Sequence, residues 1–304
     1  MQAGKAIDLH QVRQFGNIEF LARQLVDGFI TGLHKSPYHG FSVEFAEHKI
    51  YNPGESTRHI DWKVYAKTDK LFTKRYEEET NLRCQIVLDV SGSMHYPVEN
   101  SGKLTFSIVA AAALAQMLQK QRDAFGLTVF ADQILASTQV KSTSMHLHKV
   151  FLSLQALLNN PPKSANTNIS QVLHDVATKI HRRSLVIIFS DMLDQGLNDD
   201  LFSALQHLKH ELHEVIVFHV FDKQTEEDFA FAERPYEFID AETGEKLKLR
   251  PTQVRELVSK QMKDYRHELL LKCGQYKVDV IEADINLGID QILLPYLAKR
   301  QKMA

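Results

Sequence analysis

Cysteine is scarce in this chain: Cys84 and Cys273 are the only two among 304 residues. That is too few for a disulfide-built scaffold, and with apolar neighbours both are expected as buried, reduced thiols. An excess of charge of one sign is missing as well. Lys and Arg number 36 against 38 Asp and Glu, a formal net charge of -2, so no bulk attraction to nucleic acid or to an anionic membrane is implied. The basic tail Lys299-Arg300-Gln301-Lys302 is too short to alter this. No hydrophobic run is long: the most apolar one, Ile108 to Leu118, falls short of a bilayer span and contains Gln116. Met1 to Gln14 is polar and mixed in charge, unlike a secretory leader. No internal repeat or low-complexity tract is evident. A soluble, cytoplasmic protein without a transmembrane segment is the expectation.

What is present is an ordinary core-forming composition, 44% hydrophobic, in a chain long enough for one large domain or two modest ones. Apolar residues from Val12 to Phe29 recur at helical spacing, which predicts an amphipathic helix over 9–31 ended by Gly32. Phe41, Val43 and Phe45 then alternate with polar residues, predicting a small β element. From about residue 81 onward, buried strands alternate with helices, the pattern of a mostly parallel central sheet with helices on both faces. The expected fold is therefore α/β and Rossmann-like, with residues 1–80 as an N-terminal helix and small β extension. Residues 81–304 form the main domain, carrying a hairpin insertion near 236–250 around Asp240-Ala-Glu-Thr-Gly-Glu245.

The chemistry is concentrated at Cys84 to Met94, read Cys-Gln-Ile-Val-Leu-Asp-Val-Ser-Gly-Ser-Met. A short buried strand runs into Asp89, and Ser91 and Ser93 follow on one turn. Open α/β sheets place their ligands at this end of a strand, and one carboxylate with two hydroxyls suits a hard cation such as Mg²⁺. The same residues can equally cap the helix that follows. Two later segments add to the set. Thr167 stands before a periodic helix that starts at Ile169, and Ser184 to Asp191 is a second buried strand ending in a carboxylate. With parallel strands, Asp89, Ser91, Ser93, Thr167 and Asp191 meet at one edge. Asp-x-Ser-x-Ser, then a loop threonine, then an aspartate after a strand resembles the von Willebrand factor A domain and its metal-ion-dependent adhesion site. That resemblance implies Mg²⁺, or Mn²⁺ or Ca²⁺ in its place, held by those five residues.

A second signature lies upstream, in Tyr51-Asn-Pro-Gly-Glu-Ser-Thr-Arg-His-Ile-Asp-Trp, which contains the single tryptophan, Trp62. It resembles the signature of the bacterial domain-of-unknown-function family 58, with Glu55 and Ser56 in place of an acidic pair. Arg58, Asp61 and Trp62 are its most distinctive residues. In purely structural terms, Trp62 anchors the N-terminal part while Arg58 and Asp61 satisfy each other or the backbone. The resemblance implies a partner class, MoxR-type AAA+ ATPases, for which such proteins are thought to act as adaptors.

Three functions follow. The first is a non-enzymatic interaction module whose bound cation takes an Asp or Glu from a partner protein. The second is a metal-dependent phosphatase-like hydrolase with Asp89 as nucleophile, although Ser91 stands where that chemistry wants a second aspartate. The third is a scaffold whose metal loop is purely structural. Fifteen histidines include the groups His146/His148 and His207/His210/His213, read as surface residues because neither group has a familiar ligand spacing.

Overall fold

A computed structural model describes residues 12, 16–34, 48–50, 64–65, 67, 69, 71–74, 82–162, 168–193, 199–239 and 244–303. Arg58, Asp61, Trp62 and Thr167 lie outside these residues, as do Phe41, Val43 and Phe45.

The main body is a six-stranded sheet. Its strands in chain order are β3 (Arg83–Asp89), β4 (Ala124–Phe130), β5 (Ile134–Ser137), β6 (Leu185–Ser190), β7 (Glu214–Phe221) and β10 (Asp279–Asp284). They lie in the spatial order β10-β7-β6-β3-β4-β5. All neighbours are parallel except β4 and β5. Two further strand pairs lie outside this sheet: β1 (His48–Ile50) with β2 (Phe72–Lys74), and β8 (Tyr236–Ile239) with β9 (Lys246–Leu249), both antiparallel. The second pair is the hairpin expected near 236–250.

The helices are α1 (Ile18–His34), α2 (Gly102–Lys120), α3 (Ser144–Asn159), α4 (Ile169–Lys179), α5 (Asp199–His210), α6 (Pro251–Gln275) and α7 (Asp290–Met303). They divide between the two sheet faces, because alternate strand residues point to opposite sides. Cys84, Ile86 and Leu88 pack with apolar residues of α1, α2, α3 and α7. Val87 packs the other way, with α4, α5 and Cys273 of α6. Strands enclosed on both faces read as unbroken apolar runs, which is why β3, β6 and β7 stand out in the sequence. β5 is mostly exposed and leaves no such trace.

One helix has no wet side. Every residue of α2 from Gly102 to Leu118 is buried, including the run Ala110–Ala113. The sheet covers one flank and α1 another, through Ala22, Val26 and Phe29 in the same apolar cluster. Small residues permit this close approach, while a helix enclosed all round shows no amphipathic stripe. The helix α1 itself does have one, with Ile18, Ala22 and Val26 buried and Arg23, Gln24 and Asp27 exposed. It extends past Gly32 to His34, beyond the expected stop.

At the opposite end of the sheet from the candidate site, α7 is tied to the core. Tyr296 is fully buried, and its hydroxyl donates to Gln121 Oε1 at 2.7 Å. The Arg300 guanidinium holds the buried Asp123 carboxylate at 2.8 Å. Two histidines expected at the surface are interior instead: His146 meets the carbonyl of Phe125 at 2.8 Å, and His213 Nδ1 accepts from the Ser184 amide at 3.2 Å. Each found a backbone partner, which makes burial of its ring affordable. Among the described residues, no helix is long and apolar enough to cross a membrane.

Candidate functional site

The parallel register decides which strand ends meet. Leu88 pairs with Phe189 and Asp89 with Phe130, so β3, β4 and β6 finish together, and Asp89 lies beside Ser190. The Ser190 hydroxyl donates to Asp89 Oδ2 at 2.6 Å and accepts from the Met192 amide at 2.9 Å. On its other oxygen, Asp89 accepts from the Ser91 amide at 2.9 Å. Ser91 Oγ is 3.2 Å from Ser93 Oγ, and Ser93 is near enough to Asp191 to help lower its carboxyl. Four of the five sequence-predicted residues, Asp89, Ser91, Ser93 and Asp191, thus gather at the carboxyl edge. Asn168, the residue after Thr167, caps α4 through its side chain, and its amide points to the Ala131 carbonyl just past β4, at 3.4 Å.

Sequence reasoning missed the cation already there. Lys103, 1% exposed, places its ammonium 2.8 Å from Asp191 Oδ2 and 2.6 Å from Glu226 Oε1. The loop before α2 sets this position by folding back on the helix start: the Gly102 amide donates to Pro97 O and the Lys103 amide to Tyr96 O. The fold-back needs a glycine, since a Cβ at residue 102 would come within 2.7 Å of Pro97 Cδ. Glu226 comes from a single π-helical turn, Lys223–Glu227, after β7, and its second oxygen accepts from the Asp222 amide at 2.8 Å. A signal was available. A lysine in the first turn of a helix opposes the helix dipole, and in a helix otherwise so apolar it calls for an anionic partner.

The two aspartates have opposite characters. Burial pushes the Asp89 carboxyl up, the charge of Asp191 pushes it further, and bonds from Ser190 and Ser91 only partly offset this. Burial also acts upward on Asp191, but Lys103, Ser93 and the Leu193 amide outweigh it and hold the group below the usual carboxylate range. Burial acts downward on the Lys103 ammonium, yet Asp191 and Glu226 reverse this and raise it. One strand further along, His219 is buried, and burial pushes its imidazole down to about 4. It stacks on Phe221, whose ring also carries the Arg266 guanidinium 4.5 Å from its centroid.

The donor chemistry of this edge fits a hard divalent cation: hydroxyl and carboxylate oxygens gathered at one sheet edge, with no soft ligand among them. Among the described residues there is no cluster of three or more His, Cys, Asp and Glu side chains able to hold a metal, so such a cation relies on the hydroxyls.

Uncharacterized proteins of Mycobacterium bovis and Mycobacterium tuberculosis are each 22% identical to this chain over 176 residues, 58% of it. The chain spans about half of those relatives, 55% of their length. Among solved structures, it is similar to the conserved hypothetical protein BatB from Bacteroides thetaiotaomicron, at 13% identity and TM-score 0.43, covering 73% of this chain and 100% of that one. It is similar too to the pilus adhesin SpaC from Lactobacillus rhamnosus GG, at 12% identity and TM-score 0.45, covering 73% and 29%. The family described as protein of unknown function DUF58 matches residues 47–268, and the chain belongs to that family.

Proposed function

We propose that the main domain is a von Willebrand factor A-like interaction module, non-enzymatic, in which Asp89, Ser91, Ser93, Thr167 and Asp191 hold a divalent cation, Mg²⁺ before Mn²⁺ or Ca²⁺. When bound there, the cation supplies an open coordination position to an Asp or Glu side chain of a partner protein. The observation that carries this reading is the gathering of Asp89, Ser91, Ser93 and Asp191 at the carboxyl edge of the sheet, with the two serine hydroxyls 3.2 Å apart. Neutral hydroxyls are weak donors, so a cation held by them keeps its attraction for an outside carboxylate. The partner class we propose, a MoxR-type AAA+ ATPase served by this chain as an adaptor, is supported by the Tyr51–Trp62 signature alone.

One observation favours a second reading. The Lys103–Asp191 pair already neutralises part of the site, as it would in a scaffold whose loop needs no metal. Calorimetry separates the two. On the adhesion-site reading, the full chain binds Mg²⁺ or Mn²⁺, captures a purified MoxR-type ATPase only with the metal present, and loses both properties in Asp89→Ala. Binding of that ATPase unchanged in excess EDTA would reject the metal bridge and leave the scaffold.

A further inference from the structure

Lys103 stands on the carboxylate that the proposed cation would need. Its side chain is 1% exposed and bridges Asp191, whose side chain is 4% exposed, to Glu226, at 17%. Two cations cannot share one carboxylate in so enclosed a place without repelling each other, and at short range and low effective dielectric that repulsion is large. An ammonium on a four-carbon stem is nevertheless easily re-aimed. It has a second acceptor within reach, because Glu226 belongs to a separate turn and is fixed there by the Asp222 amide. The ring of Tyr96, 5.9 Å from Nζ at its centroid, lines the space around the ammonium.

We infer that Lys103 is the residue that sets the cation affinity of this site: it holds Asp191 when no divalent cation is bound, and rests on Glu226 alone when one is. The inference depends on the reading of the edge as a divalent-cation site. It gives Glu226 a role that the five-residue signature does not contain, as the acceptor that receives the displaced ammonium. It also makes the site self-neutralising without metal, so that Asp191 is never left buried and unpaired, a state that is strongly destabilising.

The test uses the full chain, with Mn²⁺ as the probe, read by calorimetry and by thermal unfolding with and without the metal. Lys103→Met is expected to unfold at a lower temperature than wild type in EDTA, to bind Mn²⁺ at least tenfold tighter, and to gain more thermal stability from it. Glu226→Gln is expected to bind Mn²⁺ more weakly than wild type, since the ammonium then has no second anionic acceptor. A Lys103→Met chain that binds Mn²⁺ no more tightly than wild type overturns the inference while leaving metal binding at the site intact. Absence of Mn²⁺ binding in both chains overturns the inference together with the metal site. If Lys103→Met does not fold, Glu226→Gln decides the matter alone, and unchanged binding in that variant overturns the inference.

Discussion

The hydroxyl of Ser190 reaches across from the end of β6 to the carboxylate of Asp89 at the end of β3, 2.6 Å away. It joins the two strand ends that frame the site and simultaneously accepts the Met192 amide, which turns the chain away from β6. Asp89 is therefore held from both sides, by Ser190 on one oxygen and by the Ser91 amide on the other.

Removing that hydroxyl leaves two buried groups short of a partner, the Asp89 oxygen and the Met192 amide. Ser190→Ala should cost about 1–3 kcal/mol, the typical penalty for an orphaned buried polar group. Urea denaturation checks this; a loss within experimental error would show that Asp89 is held by the Ser91 amide alone.

Deleting α1 should harm the whole body rather than trim it. With residues 1–34 removed, the flank of α2 that meets Ala22, Val26 and Phe29 faces water as a continuous apolar surface. The expected outcome is a lower melting temperature and binding of a hydrophobic dye. Ala112→Leu probes the same enclosure from inside: overfilling a packed core typically costs about 1–3 kcal/mol, measurable by thermal unfolding.

The clamp between α7 and the core makes a third expectation. Asp123 is 1% exposed and is met by Arg300, yet burial, the strongest influence on it, still leaves its carboxyl raised. Arg300→Leu strands a buried carboxylate, which is strongly destabilising when unpaired. Asp123→Asn relieves the charge, and the double variant should recover part of the loss. A double-mutant cycle gives the coupling directly, and a coupling near zero would refute the clamp.

Acid should weaken the fold through interior imidazoles. Burial lowers His219 from its ordinary 6.5 to about 4, and His146 and His213 are lowered by the same cause. Between those values the unfolded chain takes up a proton on residue 219 that the folded chain refuses, so stability falls as pH drops from 6.5 towards 4. The His219 contribution is on the order of 3 kcal/mol at full extent. Asp89, raised in the folded state, acts in the opposite sense above its unfolded value, so the comparison must be between variants. His219→Gln should flatten the dependence of unfolding free energy on pH across that window; an unchanged slope would rule out His219 as a source.

Strands enclosed on two faces write themselves plainly into a sequence, and β3 and β6 did so, β3 finishing in Asp89 and β6 just before Asp191. Parallel pairing then placed Asp89 and Asp191 together without further information. Lys103 was harder to read because its role depends on where a long side chain travels. Its partner Glu226 is more than a hundred positions away, in a turn with no periodicity. His146 and His213 resembled surface residues because their burial depends on single backbone partners, Phe125 and Ser184, that only the folded chain brings near. The strand β5, exposed along most of its length, offered no apolar run to find.

The position of α1 has a consequence for synthesis. It is the first of these helices to leave the ribosome, yet it belongs to the outermost layer on its side, over a helix made some seventy residues later. Its apolar stripe must wait, uncovered, until α2 has emerged and found the sheet. Among the described helices, the earliest one made is thus the one most in need of protection from premature contacts, and a chaperone acting on the nascent chain would meet that stripe before any strand of the sheet exists.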